Sequence, residues 1–267
     1  MRHIEFLGVP GAGKTTALQL MLRMLRLRGA TVELLEQGAL RALLGARGIV
    51  ASAWLSRHLP SRLRPAALRL LSGNASDRSR AFATFGAQHP DFIDYLFERD
   101  ETRIAPGGRD ELLVLLWVLS LVWWFQLATD GASGVDCCVS DHGFSQRGLS
   151  LLAYRGVPDT DAWERSVKEY FQFMPQPDVV VVPLAPLEVA LARMAKRRQG
   201  YPTRVKTLSP SEQRTVSERA ERCVELGTEQ LLGRGVRVIR LENAGTREDL
   251  KRSVEAVAPV VAGIAGA

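Results

Sequence analysis

His3-Ile4-Glu5-Phe6-Leu7-Gly8-Val9-Pro10-Gly11-Ala12-Gly13-Lys14-Thr15-Thr16 decides the reading of this chain. A short apolar run ends in glycines, and over 12–28 leucines and methionines recur at helical spacing. That pattern predicts a strand, a loop and a helix in immediate succession. Residues 8–15 satisfy GxxxxGK[ST] in full, and a strand before and a helix after are the context that gives this spacing its physical meaning. The glycines let backbone N–H groups curl around a phosphate, and the helix start adds its positive end. The expected nucleotide-binding set is Gly8, Gly11, Ala12, Gly13, Lys14, Thr15 and Thr16. Within it, Lys14 would bridge the β- and γ-phosphates and the Thr15 hydroxyl would bind Mg2+.

Working outward, Gly29 ends the first helix and 31–35 reads as a second strand that finishes at Glu36 and Gln37. Residues 40–129 look helical throughout, broken by Gly45, Gly48, Pro60, Pro65, Gly73, Pro90 and the Pro106-Gly107-Gly108 turn. Further strands are expected at 135–140, 178–183 and 236–241. The helices expected around them lie at 146–154, 160–174, 187–198, 211–232 and 247–257. The Ala/Gly-rich end after Pro259 is expected to fray. Strands alternating with helices imply an α/β fold of the P-loop NTPase kind, a three-layer sandwich with a five-stranded parallel sheet and helices on both faces. Residues 1–267 form one domain in this reading, with 40–129 a helical insertion that covers an acceptor site and 196–208 a lid.

Composition bounds the rest. A chain of 267 residues with 46% hydrophobic and 24% charged residues has the balance of a folded domain rather than a disordered tail. Its net charge of +6 is carried mostly by arginine, since lysine occurs only at Lys14, Lys168, Lys196, Lys206 and Lys251. Arginine clamps phosphate well because its planar fork donates in pairs, but an ordinary solvated surface explains the total equally well. Cys137, Cys138 and Cys223 form neither a disulfide framework nor a metal-ligand spacing, and are expected reduced and buried. No secretory signal precedes the first strand, so a cytoplasmic location is expected. Residues 112–128 are almost wholly apolar and contain Trp117, Trp123 and Trp124. The run falls short of the roughly 18 to 20 residues of a membrane span and lacks basic flanks on both sides, so it reads as a buried central helix. No transmembrane segment is expected, and peripheral membrane contact stays open.

Four residues outside the loop carry candidate chemistry. Asp141 follows an apolar strand, where a carboxylate caps the loop or, beside a phosphate-binding turn, holds Mg2+. Glu36, at the carboxyl edge of the second strand, is read either as a solvated turn residue or as the group that takes the proton of an attacking hydroxyl. Arg193 and Arg197 stand four apart on one expected helix and so share a face able to meet one anion. An exposed basic helix end is the alternative for that pair.

These segments together resemble the nucleoside and nucleotide monophosphate kinases, with thymidylate kinase and the deoxynucleoside kinases as nearest kin. Residues 3–37 resemble the family's strand, P-loop, helix and second strand, whose end often bears a catalytic or substrate-binding carboxylate, here Glu36. Residues 135–143 resemble the strand that ends in an acidic residue followed by arginine. Residues 177–198, from Pro-Asp-Val-Val-Val-Val-Pro-Leu to Ala-Arg-Met-Ala-Lys-Arg-Arg, resemble the strand and helix that lead into the lid. The resemblance implies that Arg193 stacks on adenine, that Arg197 touches phosphates and that the turn 243–246 lies against the base. The chain departs from the family at His142, which stands where an arginine is usual and cannot fork onto a phosphate. Arg147 is the candidate for the missing charge. The stretch 40–129 also exceeds a typical acceptor-binding insert, so the family's substrate identity does not transfer.

The expected activity is ATP- and Mg2+-dependent transfer of the γ-phosphate to a small-molecule acceptor: a nucleoside, a nucleotide or another hydroxylated metabolite. Lys14, Glu36, Asp141, Arg193 and Arg197 form the expected catalytic set, with Thr15 and Asp141 holding Mg2+. The alternative is an NTPase switch that signals through the helical insertion to a protein partner. A nucleic-acid partner ranks last, because the insertion's arginines alternate with leucine and alanine without interleaved aromatics. A homodimer is compatible with each reading.

Overall fold

The computed structural model describes residues 1–49, 51–60, 63–71, 75–97, 109–154, 159–197, 201 and 203–266. β1 (Arg2–Phe6) leads through the glycine loop into α1 (Lys14–Leu27), followed by β2 (Val32–Leu34) and α2 (Leu35–Ala46). Helices α3 (Ser52–His58), α4 (Arg64–Leu71), α5 (Ala75–Gln88), α6 (Pro90–Phe97) and α7 (Arg109–Asp130) fill the stretch before β3 (Cys137–Ser140). Next come α8 (Phe144–Leu152), α9 (Thr160–Phe173), β4 (Val179–Leu184), α10 (Leu187–Ala195), α11 (Thr203–Lys206) and α12 (Pro210–Gly233). β5 (Arg237–Glu242) and α13 (Arg247–Ala265) complete the order.

The five strands form one sheet in the order β2-β3-β1-β4-β5, and every pairing is parallel. Alternate side chains of a strand point to opposite faces, and the sheet feeds two cores accordingly. Val179 and Val181 join Ile4, Phe6 and Val139 beneath α1 and α13. Val180 and Val182 join Leu7 and Cys138 beneath α2, α8, α9 and α12. Helices thus cover both faces, which is compatible with a three-layer α/β sandwich. The β1–α1 connection leaves on the face of the first core, whereas the β3–α8 connection leaves on the other. β1 and β3 are neighbours, so a crevice opens at their carboxyl ends, the usual ligand position in open parallel sheets.

Helix starts follow local chemistry. Ser209 accepts from Glu212 N–H while Glu212 reaches back to Ser209, with Pro210 at the first helical position, so α12 begins there. Thr246 and Asp249 form the same reciprocal pair at α13. α13 runs on to Ala265 with Pro259 inside it, where fraying was expected; Ala258, Val261 and Ala265 are buried in the first core, and packing outweighs the lost N–H. The second strand is also shorter than expected, and helix begins at Leu35, ahead of position 40. Gln37 explains this by accepting Leu34 N–H at 2.9 Å, which closes the helix start.

Helix α7 buries Val118, Leu121, Val122, Trp123 and Ala128, while Leu116 and Trp117 stay half exposed. It is a packing helix with one wet side rather than a wholly buried one. Among the described residues no helix is long and apolar enough to cross a membrane. The three cysteines are free and buried, and burial pushes the thiols of Cys137 and Cys138 up. In the proposed lid, residues 198–200 and 202 lie outside the described residues, and 203–206 form the short helix α11.

Candidate functional site

The loop between β1 and α1 is shaped by two left-handed glycines, Gly11 at φ 88° and Gly13 at φ 90°. A Cβ on Gly11 would overlap the backbone of Ala190, and one on Gly13 the side-chain amide of Asn243. Both positions therefore require glycine for conformation and for space. Gly13 is the N-cap of α1 and has no side chain to cap it, so the first-turn N–H groups of Lys14, Thr15 and Thr16 meet no intrahelical acceptor. Such a terminus favours an anion. Gly8 N–H and Ala12 N–H are engaged within the protein, by Gln146 Oε1 at 3.2 Å and by Val9 O at 3.2 Å.

Lys14 rests its ammonium on Gly8 O at 2.6 Å and Val9 O at 3.4 Å. Burial lowers its pKa from 10.5 to about 8, opposed by the charge of Asp141 and reinforced by Arg197. Asp141 and Arg197, distant from it in sequence, therefore both act on Lys14. Thr15 is exposed at the same loop.

On one side of the loop Gly11, Gly13, Thr16, Arg193, Arg197, Asn243, Arg247 and Leu250 line a cleft of about 310 Å3. Asn243 donates from Nδ2 to Ala12 O at 2.6 Å and so fixes the turn after β5 against the loop. Arg193 donates to Gly245 O at 2.8 Å and to Asn243 Oδ1 at 3.4 Å, while its Nη1 is buried with no partner among the described residues. The expected single helix face for Arg193 and Arg197 needs correction. α10 ends at Ala195, and Arg197 N–H bonds Met194 O in the turn beyond. The two arginines still line one cleft.

On the other side the carboxylates converge. Glu36 lies in the first turn of α2, not at the end of the second strand. Burial raises its pKa; the nearby charge of Asp141 adds to the rise, while Arg64 and Arg147 oppose it. Arg64 is buried and donates to Leu59 O at 3.0 Å. Arg147 sits 5.1 Å over the Trp117 ring, and its Nε is buried without a hydrogen-bond partner among the described residues. His142, more than half exposed, stands 3.9 Å from Asp141. Arg147 feels the charge of both acids. Of the insertion's other arginines, Arg41 is tied to Glu33 at 3.0 Å and serves α2, and Arg57, Arg78 and Arg80 are exposed.

Three residues of this region escape a reading by local pattern. Glu5, fully buried in β1, accepts Phe144 N–H and Ser145 N–H at the start of α8. Its only signal is a carboxylate inside an apolar strand. Gln146 and Arg64 carry no local signal, because only the tertiary fold brings Gln146 to the loop and Arg64 to Glu36.

Among the described residues no three His, Cys, Asp or Glu side chains converge as a metal cluster. Mg2+ in phosphate-transfer sites takes one or two protein oxygens and completes its shell from phosphate and water. Thr15, exposed at the loop, and Asp141, which lies in the field of Lys14, carry oxygen donors of that kind. No protein-family model matches the chain, and no curated protein is similar to it in sequence.

Proposed function

We propose that the chain is an ATP- and Mg2+-dependent phosphotransferase of the P-loop class that acts on a small hydroxylated or phosphorylated acceptor. One observation carries this reading: the field of Asp141 reaches Lys14, at the loop, and both Glu36 and Arg147 across the crevice. A donor phosphate and an acceptor group held on the two sides would face each other. Thr15, Lys14 and the α1 terminus would hold the phosphates, Arg193 and the 243–245 turn would flank the base, and Arg197 would approach the phosphate chain. Mg2+, held by Thr15 and Asp141, would neutralise part of the triphosphate charge. The acceptor oxygen bonds to the γ-phosphorus as the bond from that phosphorus to the β–γ bridging oxygen breaks; ADP leaves with those electrons. Lys14, Arg147 and Arg197 offset the charge that spreads in this transition state. A Glu36 carboxylate with a raised pKa suits acceptance of the acceptor's proton.

Incubation with ATP·Mg2+ and a panel of nucleosides, nucleotides and hydroxylated metabolites, read by mass spectrometry, tests the reading. It predicts an acceptor heavier by one phosphoryl group with matching ADP. ADP released at one rate whatever the acceptor would replace it with an NTPase switch.

A further inference from the structure

Helix α8 is held at three points. Glu5 accepts Phe144 N–H through Oε1 at 2.8 Å and Ser145 N–H through Oε2 at 2.7 Å, which satisfies two orphan donors and sets a negative charge on the helix's positive end. Gly143 lies so close to that carboxylate that a Cβ would overlap it. The Tyr170 hydroxyl donates to Phe144 O at 2.9 Å, and its ring packs on Gly148 with no room for a Cβ. The helix so fixed carries two neighbouring side chains to the two sides of the crevice. Gln146 accepts the buried Gly8 N–H, the first of the glycine loop. Arg147 reaches the side of Glu36 and Asp141.

We infer that Gln146 is a positioning residue that ties the glycine loop to α8 and so sets the separation between Lys14 and Arg147, with Glu5 holding the helix in place. The inference rests on the reading above that the loop holds ATP. An amide suits the task because its carbonyl accepts the Gly8 N–H without placing negative charge beside phosphates, as a glutamate would. Gln146 acts through Arg147, so its effect depends on that arginine.

The test is a double-mutant cycle on ADP release from Mg·ATP with water as acceptor, a reaction that needs no identified substrate, alongside calorimetric titration of Mg·ATP. Gln146→Met keeps the side-chain length and removes the acceptor. Its affinity for Mg·ATP is expected to stay within about threefold of wild type while kcat falls about tenfold or more. In an Arg147→Ala background the same substitution is expected to change kcat by less than about twofold. If Gln146→Met does not fold, Gln146→Asn, whose shorter amide falls short of Gly8, carries the same expectation. Unchanged kcat, a loss confined to KM for ATP, or a full multiplicative loss in the double variant overturns the inference while the ATP reading stands. A wild-type protein that binds no Mg·ATP overturns both.

Discussion

At the scale of single residues, Lys14 has the sharpest pH dependence. Its folded pKa of about 8 lies below the ordinary 10.5 because the amine is buried. Between those values the unfolded chain holds a proton that the folded chain has lost, so this group's contribution to stability rises with pH from about 8 to about 10.5. Near neutral pH the charged amine destabilises the fold by up to about 3 kcal/mol. Lys14→Met is therefore expected to raise stability to urea at pH 7, with the gain shrinking by pH 10. No gain at pH 7 would show that the amine is not strained. A bound triphosphate draws the proton back, so ATP titrations at about pH 8.5 in buffers of different ionisation enthalpy should record proton uptake. Gly11 is as specific in another way. Its φ of 88° and the adjacent Ala190 backbone make Gly11→Ala costly, on the order of 2 kcal/mol by denaturant titration. The left-handed glycines Gly11 and Gly13 were legible because local spacing determines that conformation. The contacts of Glu5 and Gln146 form only when β1, the loop and α8 come together, so no pattern along the chain reveals them.

At the scale of elements, the start of α2 and the end of α10 show where sequence periodicity misleads. The apolar run over 31–35 reads as strand until Gln37 caps a helix at Leu34, which moves Glu36 into a helical first turn. Leucine and alanine spacing carries α10 past its end at Ala195, and Arg197 reaches the cleft from the turn that follows. Arg193 touches the 243–245 turn rather than the loop backbone. Arg193→Ala is thus expected to weaken ATP binding about tenfold while leaving inorganic pyrophosphate within about twofold, by calorimetry. Equal losses for both ligands would move Arg193 to the phosphate side. The α2 anchor offers a stability test. Glu33, 2% exposed, accepts both contacts of Arg41 Nε. Glu33→Ala leaves a largely buried guanidinium unpaired and should cost about 3 kcal/mol, with a much smaller cost when Arg41→Met accompanies it.

At the scale of the whole molecule, the strands and most helices were legible because long alternating segments fix element type even where their ends drift, as at α2, α10 and α13. The parallel sheet followed from that alternation. Its order β2-β3-β1-β4-β5 did not, because which strands neighbour each other is decided by how the covering helices pack. That order matters to the site, since it sets β1 beside β3 and opens the crevice into which Lys14, Asp141 and Arg147 are carried. The side of the crevice around Glu36 was the least legible: its groups come from α2, α4, the β3–α8 turn and α8, and Arg64 becomes distinct from other insertion arginines only through its burial near Glu36. The account's central claim is phosphoryl transfer from the glycine loop to a small molecule. Its most direct test follows the label of γ-phosphate-labelled ATP·Mg2+ in the wild type and in Lys14→Ala, with the same acceptor panel. The account predicts label on an acceptor in the wild type and a rate at least about 100-fold lower in the variant. Label recovered only as inorganic phosphate, or an equal rate in Lys14→Ala, would contradict it.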